Sequence, residues 1–461
     1  MAWYDGIATQ IGRTIAAYLP GENKRSLERD YYSGNHPQQL KVKDGAYNDN
    51  VAMNYVGLAI SRDISRLFAG GIEFTLPEGA QAQQDYLDGV WDTNKQEQLL
   101  YQLALNGSVY GTPFLKIVPD GLVNKLTGAS VPRLIALDPE ITTVDVDKFD
   151  VDDPERYVIE FTVDEVGYKE VTRKARVEDY HNAAEAPSTW IVEHFIMPKG
   201  SARWILDPDQ PPYEWPYEFP PIIHWKNLPA LKAQHGCYGQ TDAEWAVGVQ
   251  NKLNFADSNI NKTIRLMAAP PTIATGVSKA PDFGTGPGSF TWISEPDAKV
   301  FNLTANADIT GSRAWSGDLQ GAIFQLMREV PPAVIQKLGS GLTNFVMRVI
   351  FADALDKTDT KRELYGDALL EINRRLLVLA GYDGPASDPG LIVWGDALPS
   401  NPAEQVTQDT FLLNNKLVSK ATVAAKYGID YDAEKELIDA EDASSTGNVG
   451  AFLLQNFNKG G

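Results

Sequence analysis

The chain has 461 residues, 43% of them hydrophobic and 10% aromatic, which is enough to build buried cores and excludes a disordered polypeptide. Its net charge of −20 argues against a static, high-affinity DNA site, because tight DNA binding uses Lys and Arg to displace counterions. The same charge suits a surface along which DNA moves without binding tightly, although many chains are acidic only because net charge keeps them soluble.

Two further classes of protein are disfavoured by the sequence. No apolar run reaches the roughly 18 residues that a membrane-spanning helix needs. Residues 1–24 lack a basic segment and a small-residue cleavage site, so we expect no signal peptide. Cys237 is the single cysteine, which rules out an intrachain disulfide and fits synthesis in a reducing cytosol.

The first hundred residues predict helices separated by polar or short extended segments. Residues 1–19 have the pattern of a short amphipathic helix, ended by Pro20 and Gly21, and the polar stretch 22–45 predicts irregular structure. Helices are expected over 47–68 and 81–106, each ended by glycine, with a strand over 72–76 between them.

A β-rich region follows. Short strands are predicted over 108–118, 133–137, 142–146, 157–163, 169–176, 189–196, 203–206 and 222–225. The proline- and aromatic-rich stretch 207–221 is expected to lack regular structure. Residues 138–165 contain eleven acidic and two basic residues, but without the spacing of a calcium loop, which favours a solvated acidic face over a metal site.

The second half of the chain is predicted to be largely helical. Thr241 and Glu244 have the spacing of a capping box, which predicts a helix over 241–269 that stops at two prolines. After short strands and Gly/Pro loops over 272–310, a helix is expected over 314–330. A very long helix over 342–380 follows a Pro-Pro and Gly-Ser-Gly break. The remaining predicted elements are a strand over 391–394, helices over 402–415, 420–427 and 432–441, and a mobile tail over 442–461.

Motifs for catalysis or cofactor binding are absent from the sequence. It contains no P-loop, HExxH, CxxC or GxSxG pattern. His235 and Cys237 invite a nucleophile hypothesis, but the surrounding glycines favour a shaped loop. The glycines at 284, 286 and 288 resemble a phosphate loop only loosely, because no helix follows them, and a hairpin tip is favoured. We therefore expect no enzymatic activity, no cofactor and no metal.

Several local patterns, taken in order, resemble one known family. They are Ser65–Phe68 followed by Gly70-Gly71-Ile72, Ala104–Ile117 with Gly107 and Gly111, His224–Asn227 leading to Thr241–Glu244, and Leu417–Thr422 followed by Tyr427–Asp430 and Glu434–Glu441. Together with the order of predicted elements, they cover most of residues 45–445. The chain thus resembles the portal proteins, or head-to-tail connectors, of tailed double-stranded DNA bacteriophages. The 207–221 stretch departs from that pattern.

The resemblance implies an α+β subunit of a ring oligomer. Residues 1–240 would form a mixed α/β wing, 241–269 the first stem helix, 270–310 a small β-rich clip and 311–330 the second stem helix. Residues 331–343 would form the tunnel loop, 344–399 the long wing helix and its return, and 400–461 a helical C-terminal crown region.

The resemblance also assigns candidate sites within these regions. The tunnel loop would present Val334, Ile335, Lys337, Leu338, Gly339 and Gly341 to the channel, although a plain helix–helix turn is the alternative. Lys262, Arg265 and Arg328 would make stem contacts with capsid protein or DNA, or else form ordinary surface or intersubunit ion pairs. The clip would expose Phe283, Gly284, Gly286, Gly288 and Phe290.

Function and partners are likewise implied by the resemblance. A portal ring sits at one capsid vertex of the virion after assembly in the host bacterial cytoplasm, with twelve subunits there and twelve or thirteen when isolated. Double-stranded DNA passes through it, packaged by a separate terminase ATPase and later ejected. Its other partners are the major capsid protein, the scaffold and head-completion or adaptor proteins. The resemblance implies no membrane partner.

Two alternatives stay open at this stage. Another ring or adaptor protein of a virus particle would share the acidity and the ring-building surfaces. An acidic α/β carbohydrate-active enzyme is the alternative of a different class, suggested by 10 Trp and 19 Tyr residues. Aromatic residues also fill cores and subunit interfaces, so this signal is weak.

Overall fold

A computed structural model describes residues 22–43, 47–125, 127–175, 189–268, 272–275, 290–293, 309–332, 334, 344–398 and 402–439. These residues form an α+β fold, as the sequence predicted, with several antiparallel sheets. The chain divides into two compact units, Met1–Gly339 with Val349–Ala397, and Ser340–Arg348 with Leu398–Gly461. Among the described helices, none combines the length and the apolar character that a membrane span requires.

Four helices and one strand open the first unit: α1 (Glu22–Ser33), α2 (Tyr55–Leu67), β1 (Ile72–Thr75), α3 (Gln81–Thr93) and α4 (Gln96–Tyr110). The stretch predicted to be irregular therefore contains α1. The helix predicted from residue 47 begins only at Tyr55, because the Asn54 side chain caps it by accepting from Gly57 N at 2.9 Å.

The helix predicted over 81–106 is instead two helices. The break falls at Lys95, whose φ of 56° lies in the left-handed region. Gly107 does not end the second helix, which continues to Tyr110 and is capped by Gly111 at φ 83°. A Cβ on Gly107 would lie 2.0 Å from the Tyr365 hydroxyl, so glycine at this position serves close packing rather than termination.

Two antiparallel sheets cover the β-rich region. The smaller consists of β2 (Phe114–Val123), β3 (Ser130–Leu137) and β10 (Ile222–His224), in the order β10-β2-β3. The strands of the larger sheet are β4 (Thr142–Val146), β5 (Pro154–Val163), β6 (Val166–Lys174), β7 (Trp190–Met197), β8 (Ile205–Leu206) and β9 (Tyr213–Trp215). They follow the order β4-β5-β6-β7-β8, and β9 also pairs with β7.

Strand β9 corrects the prediction that 207–221 lacks regular structure. Trp215 is buried and lies opposite Trp190 in the ladder. Its indole N–H donates to the Phe219 carbonyl at 2.8 Å, which closes the proline-rich turn that follows. Burial of two large aromatic side chains outweighs the poor strand propensity of the surrounding prolines.

The rest of the first unit contains α5 (Lys232–His235), α6 (Val247–Ala268), the parallel pair β11 (Thr272–Thr275) and β12 (Phe290–Ile293), α7 (Ile309–Leu326), α9 (Ala352–Leu379), a 3₁₀ turn (Gly384–Ser387) and β13 (Leu391–Trp394). Strand β13 pairs antiparallel with β1. Helix α8 (Asn344–Ile350), of which residues 344–348 belong to the second unit, precedes α9 in the chain. The predicted 342–380 helix is thus interrupted at Phe351, the N-cap of α9, whose side chain makes no cap hydrogen bond within the described part of the chain.

The second unit is helical in its described C-terminal part, which contains α10 (Pro402–Asn414), α11 (Lys420–Lys426) and α12 (431–439). Ser419 caps α11 by accepting from Thr422 N at 3.1 Å. These bounds agree with the predicted helices to within two residues. The predicted tail beyond 441 lies outside the described residues.

Helix α9 forms the centre of the first unit's core. Its residues Tyr365, Leu369, Ile372 and Leu376 are fully buried. They belong to one apolar cluster with side chains of α2, α3 and α4. Asn373 of α9 also accepts a hydrogen bond from the Trp91 indole of α3 at 2.8 Å. The apolar core around α9 also includes Leu253 of α6 and Ile323 and Phe324 of α7.

Candidate interaction surface on a two-helix hairpin

Helices α6 and α7 form an antiparallel hairpin. It leaves the rest of the first unit, called the body below, after Asp242 and returns to it at Glu329. Ser316 of α7 donates to the Asp257 carboxylate of α6 at 2.5 Å. Near the body the hairpin is buried, with Leu253 of α6 and Ile323 and Phe324 of α7 in the apolar core. Farther out, from Thr310 to Asp318, most side chains of α7 are exposed.

One side of α6 carries a stripe of polar residues that binds the extended segment before α2. The Gln250 amide donates to Met53 O at 2.5 Å, and the Ser258 hydroxyl accepts from Val51 N at 2.9 Å. Asp49 receives two hydrogen bonds from the Arg265 guanidinium, at 2.7 and 2.6 Å. The stripe recurs at helical spacing: Gln250, Asn254, Ser258, Asn261 and Arg265. It fixes the hairpin to the body along much of α6.

The opposite side of α6 faces solvent. It exposes Lys252, Phe255, Lys262 and Leu266, which share one face at helical spacing. Between this face and α7 lies a groove of about 370 Å³ lined by Phe255, Ile260 and Trp315, among others. Phe255 is 47% exposed and Trp315 57% exposed. Aromatic side chains exposed together in a groove are typical of a protein interaction surface.

The hairpin is rooted in a buried ionic cluster. Three carboxylates and three cationic groups balance there to zero net charge: Asp63, Asp242, Glu329, Arg66, Lys357 and Lys361. Lys361 Nζ binds Asp63, Asp242 at 2.7 Å and Ser108 Oγ at 3.1 Å. Lys357 Nζ lies 3.2 Å from Asp242 and 3.4 Å from Asp63. The cluster therefore joins α2, α4 and α9 to the turn before α6.

Charge pairing sets the ionisation of this cluster. Burial alone would raise the pKa of the Asp63 carboxyl, but Lys357 and Lys361 hold that pKa well below its usual range. The carboxylate thus stays ionised although it is fully buried. A buried ionic group of this kind tolerates no loss of a partner, because the remaining charge would be left without compensation.

The C-terminal end of α7 is held by the same helices. Its last turn has the Schellman pattern, with Glu329 N bonded to Phe324 O at 2.8 Å and Arg328 N to Gln325 O at 3.1 Å. Arg328 occupies the left-handed position, φ 56°, that glycine usually takes. Glu329 is paired with the Arg66 guanidinium by two hydrogen bonds of 2.7 and 2.6 Å.

Two more cations bind backbone carbonyls in this turn. Lys357 Nζ donates to Met327 O at 3.2 Å, and the Arg62 guanidinium donates to Val330 O at 3.3 Å. Positive charge at the C-terminal end of a helix is favourable because the unsatisfied carbonyls there carry partial negative charge. The exit from α7 toward residue 331 is therefore clamped by side chains of α2 and α9.

The structure places the three predicted stem residues in different environments. Lys262 lies on the exposed face of α6. Arg265 is bound to Asp49 on the opposite side, as an ion pair within the chain. Arg328 is half-exposed, and its guanidinium lies 3.6 Å from Asp356. Sequence reasoning grouped them by charge, whereas the fold separates them.

The predicted tunnel-loop and clip residues fall mostly outside the described part of the chain. Val334 is described and partly exposed, whereas Ile335, Lys337, Leu338, Gly339 and Gly341 are not described. Phe290 begins β12, whereas Phe283, Gly284, Gly286 and Gly288 lie outside the described residues.

The predicted capping box is wrong. Helix α6 begins at Val247, six residues after Thr241. Among the described residues, the buried Thr241 hydroxyl has no hydrogen-bond partner, and Asp242 is part of the ionic cluster. Residues 242–246 form turns instead of helix, and Asp242 N bonds to Ser108 O at 3.0 Å. Tertiary pairing of Asp242 thus overrides the local capping pattern.

The acidic segment 138–165 contributes loops and strands of the larger sheet. Many of its carboxylates are exposed, and Asp152 pairs with Lys226 and Lys232. Within the described residues, no group of three or more His, Cys, Asp or Glu side chains is arranged to hold a metal ion. Cys237 is buried, and the His235 ring lies 3.5 Å from Glu244.

Sequence reasoning missed the residues that define the hairpin. The two signals that could have revealed them are the polar stripe along α6 and the Lys357–Lys361 spacing within the apolar pattern of α9. Lysines four residues apart on a buried face predict buried carboxylate partners, since a lysine is almost never fully buried without one. The identity of those partners, Asp63 and Asp242, depends on the fold.

Comparison with known proteins gives matches at the level of structure only. No family model matches the chain, and no curated protein matches it in sequence. The fold is similar to that of a chain from the virion of a native gene transfer agent (GTA) particle, with a TM-score of 0.41 and 14% identity over 90% of this chain and 98% of that chain. It is also similar to a chain from the neck of a native GTA particle computed with C12 symmetry, with a TM-score of 0.40 and 15% identity over 81% and 89% of the two chains.

Proposed function

We propose that this protein is a phage portal protein. Copies of it form a ring at one capsid vertex of the virion, assembled in the host bacterial cytoplasm. Double-stranded DNA is packaged through the ring by a separate terminase and is later ejected, and head-completion and tail proteins dock on it. The observation that carries the proposal is a two-helix hairpin with exposed aromatic residues, joined to the rest of the first unit by a buried ionic cluster.

The hairpin has the properties of a surface made to contact copies of itself. Phe255 and Trp315 are large apolar side chains that are already about half buried, so covering them with a partner contributes roughly half of the about 1.5–3 kcal/mol that full burial gives. A ring requires heterologous contacts, in which one face of a subunit meets a different face of its neighbour. The polar stripe on one side of α6 is already used within the chain, which leaves the Phe255 face and the exposed part of α7 for neighbours.

The charge of the chain suits a channel through which DNA moves. A chain of net charge −20 offers few attractive contacts to the phosphate backbone, so a moving duplex is not trapped. We propose no catalytic role, and the energy for packaging comes from the terminase. In this function, Lys262 and Arg328 contact neighbouring subunits or capsid protein, whereas Arg265 holds the stem to the wing through Asp49.

Native mass spectrometry of the purified protein tests this function. Twelve copies of a 50.7 kDa chain weigh about 610 kDa, and we expect a particle of twelve or thirteen copies with a central hole in negative stain. Phe255→Glu should shift the mass toward small oligomers, because it places a charge in the groove. The matched control is Phe149→Glu, which changes a residue that is 98% exposed on the acidic β4–β5 loop and should leave the ring intact.

The outcomes separate the alternatives. A stable monomer or dimer at high concentration would contradict the portal function and favour the enzyme alternative. A ring without a hole wide enough for duplex DNA would favour another virion adaptor. A ring that survives Phe255→Glu as well as Phe149→Glu would show that the hairpin face is not the contact.

A further inference from the structure

We infer that the groove between α6 and α7 binds the N-terminal segment of a neighbouring copy, so that adjacent subunits exchange arms. The segment comprises residues 1–19, which lie outside the described residues. The inference rests on the proposed function, because it assumes that copies stand side by side. It adds an occupant for the groove and a second contact between subunits.

The groove has room for apolar anchor side chains. Its volume of about 370 Å³ exceeds the roughly 150 Å³ that holds a benzene ring in an apolar protein cavity. Its lining combines apolar side chains, among them Phe255, Trp315 and Ile260, with polar ones, among them Asn259 and Lys252. An amphipathic helix binds such a groove through apolar anchors one turn apart, with its polar side toward the rim.

The N-terminal segment carries matching anchors. Trp3, Ile7, Ile11 and Ile15 recur every fourth residue, which places them on one face of a helix. Tyr18 continues the same face, and Pro20 with Gly21 ends the pattern immediately before α1. The residues between the anchors are mostly polar or small. The sequence thus predicts an amphipathic helix of up to 19 residues, close to the 22 residues of α6.

The geometry of α6 indicates that the groove receives a neighbour's segment. The N-terminal region of the same chain contacts the polar side of α6, where the Tyr31 hydroxyl donates to Asn251 at 2.6 Å and the His36 ring lies 2.8 Å from the Asn254 amide. At 100° per residue, this side is roughly opposite the groove. Pro20 and Gly21 alone connect the segment to α1, and Tyr31 of α1 is held on the polar side of α6.

Disulfide trapping in the full-length chain tests the exchange. Two proteins are prepared in a Cys237→Ser background, one carrying Ile11→Cys and the other Asn259→Cys. They are mixed, dissociated, reassembled and oxidised gently. We expect a covalent dimer on a non-reducing gel, because the two new cysteines lie on different chains. Thr9→Cys replaces Ile11→Cys in the matched control, since Thr9 lies on the opposite side of the predicted helix and should give at least tenfold less dimer.

Each result decides the inference, and the particle mass is read from the same samples. Intact rings with no dimer, or with equal dimer from Thr9→Cys and Ile11→Cys, would overturn arm exchange while leaving the portal function in place. A disulfide that forms only within one chain carrying both Ile11→Cys and Asn259→Cys would overturn it too. Failure of every variant and of the native protein to form rings would refute the proposed function itself.

Discussion

Replacing Lys361 with methionine should destabilise the protein strongly. Lys361 is 0% exposed, and its ammonium group binds Asp63 and Asp242. Methionine fills similar space but leaves the two buried carboxylates with less positive charge. Removing one partner from a buried ion pair costs about 3–5 kcal/mol, because the remaining charge is uncompensated.

A matched substitution on the same helix provides the comparison. Arg374→Met removes an ion pair with Glu371 that is partly exposed at both ends. Exposed pairs contribute about 0–1 kcal/mol. We therefore expect thermal unfolding, followed by circular dichroism, to show a several-fold larger drop in melting temperature for Lys361→Met than for Arg374→Met.

A double substitution tests the reason for that loss. Asp242→Asn together with Lys361→Met restores a neutral cluster, so the double variant should be more stable than the sum of the single losses predicts, by about 0.5–3 kcal/mol. Equal melting temperatures for Lys361→Met and Arg374→Met would refute the argument that a buried ionic cluster anchors the hairpin. Strict additivity of Lys361→Met and Asp242→Asn would refute the pairing between the two residues.

Three further predictions concern local geometry and pH. Gly107→Ala should destabilise the protein by about 1–3 kcal/mol through its clash with Tyr365, whereas Gly248→Ala, with no atom within 4 Å of the new Cβ, should be neutral or slightly stabilising in the same melting assay. Burial lowers the pKa of His224 to about 4, so the unfolded chain takes up a proton at this side chain at higher pH than the folded chain does. The free energy of unfolding should therefore fall as pH drops from about 6.5 to about 4. A His224→Gln variant that shows the same fall between those pH values would refute the assignment to His224. Arg328→Gly should raise the melting temperature of the isolated subunit, because glycine adopts φ 56° without strain, and should weaken ring assembly if Arg328 makes a stem contact; a lowered melting temperature would contradict the first part and unchanged assembly the second.

Much of the fold could be predicted because local patterns dominate there. Strands β4 and β13 were predicted with the bounds that the structure has, since alternating or β-branched residues lie between clear turn signals. The C-terminal helices were predicted for similar reasons, with Ser419 as a visible cap. Where a distant contact exists, as in the pairing of β13 with β1, it agrees with the local preference of the sequence.

The misses occur where distant contacts decide the structure. Helix α1 is highly polar, and its Tyr31 is buried through contacts that include Asn251, 220 residues away. Asp242 forgoes a capping helix to meet Lys361, which is 119 residues away. Lys95 takes a left-handed conformation that no local signal requires. Local sequence patterns therefore do not show which members of the ionic cluster pair with one another.

The candidate surface was only partly accessible from sequence. Lys262 was identified by its charge and does lie on the exposed face of α6, whereas Phe255 and Trp315 were indistinguishable from core aromatics. The exposure of Phe255 follows from the polar stripe on the opposite side of α6, which binds the segment before α2. The contacts proposed for the tunnel loop and the clip stay predictions.

The most direct test of the central claim is a cryo-electron microscopy map of the purified particle. We expect a closed ring of twelve or thirteen copies around an open channel, with Phe255 and Trp315 of each subunit covered by its neighbour and with the ionic cluster intact at the base of every hairpin. A map of a monomer or small oligomer, or a ring in which both aromatic side chains remain in solvent, would contradict it.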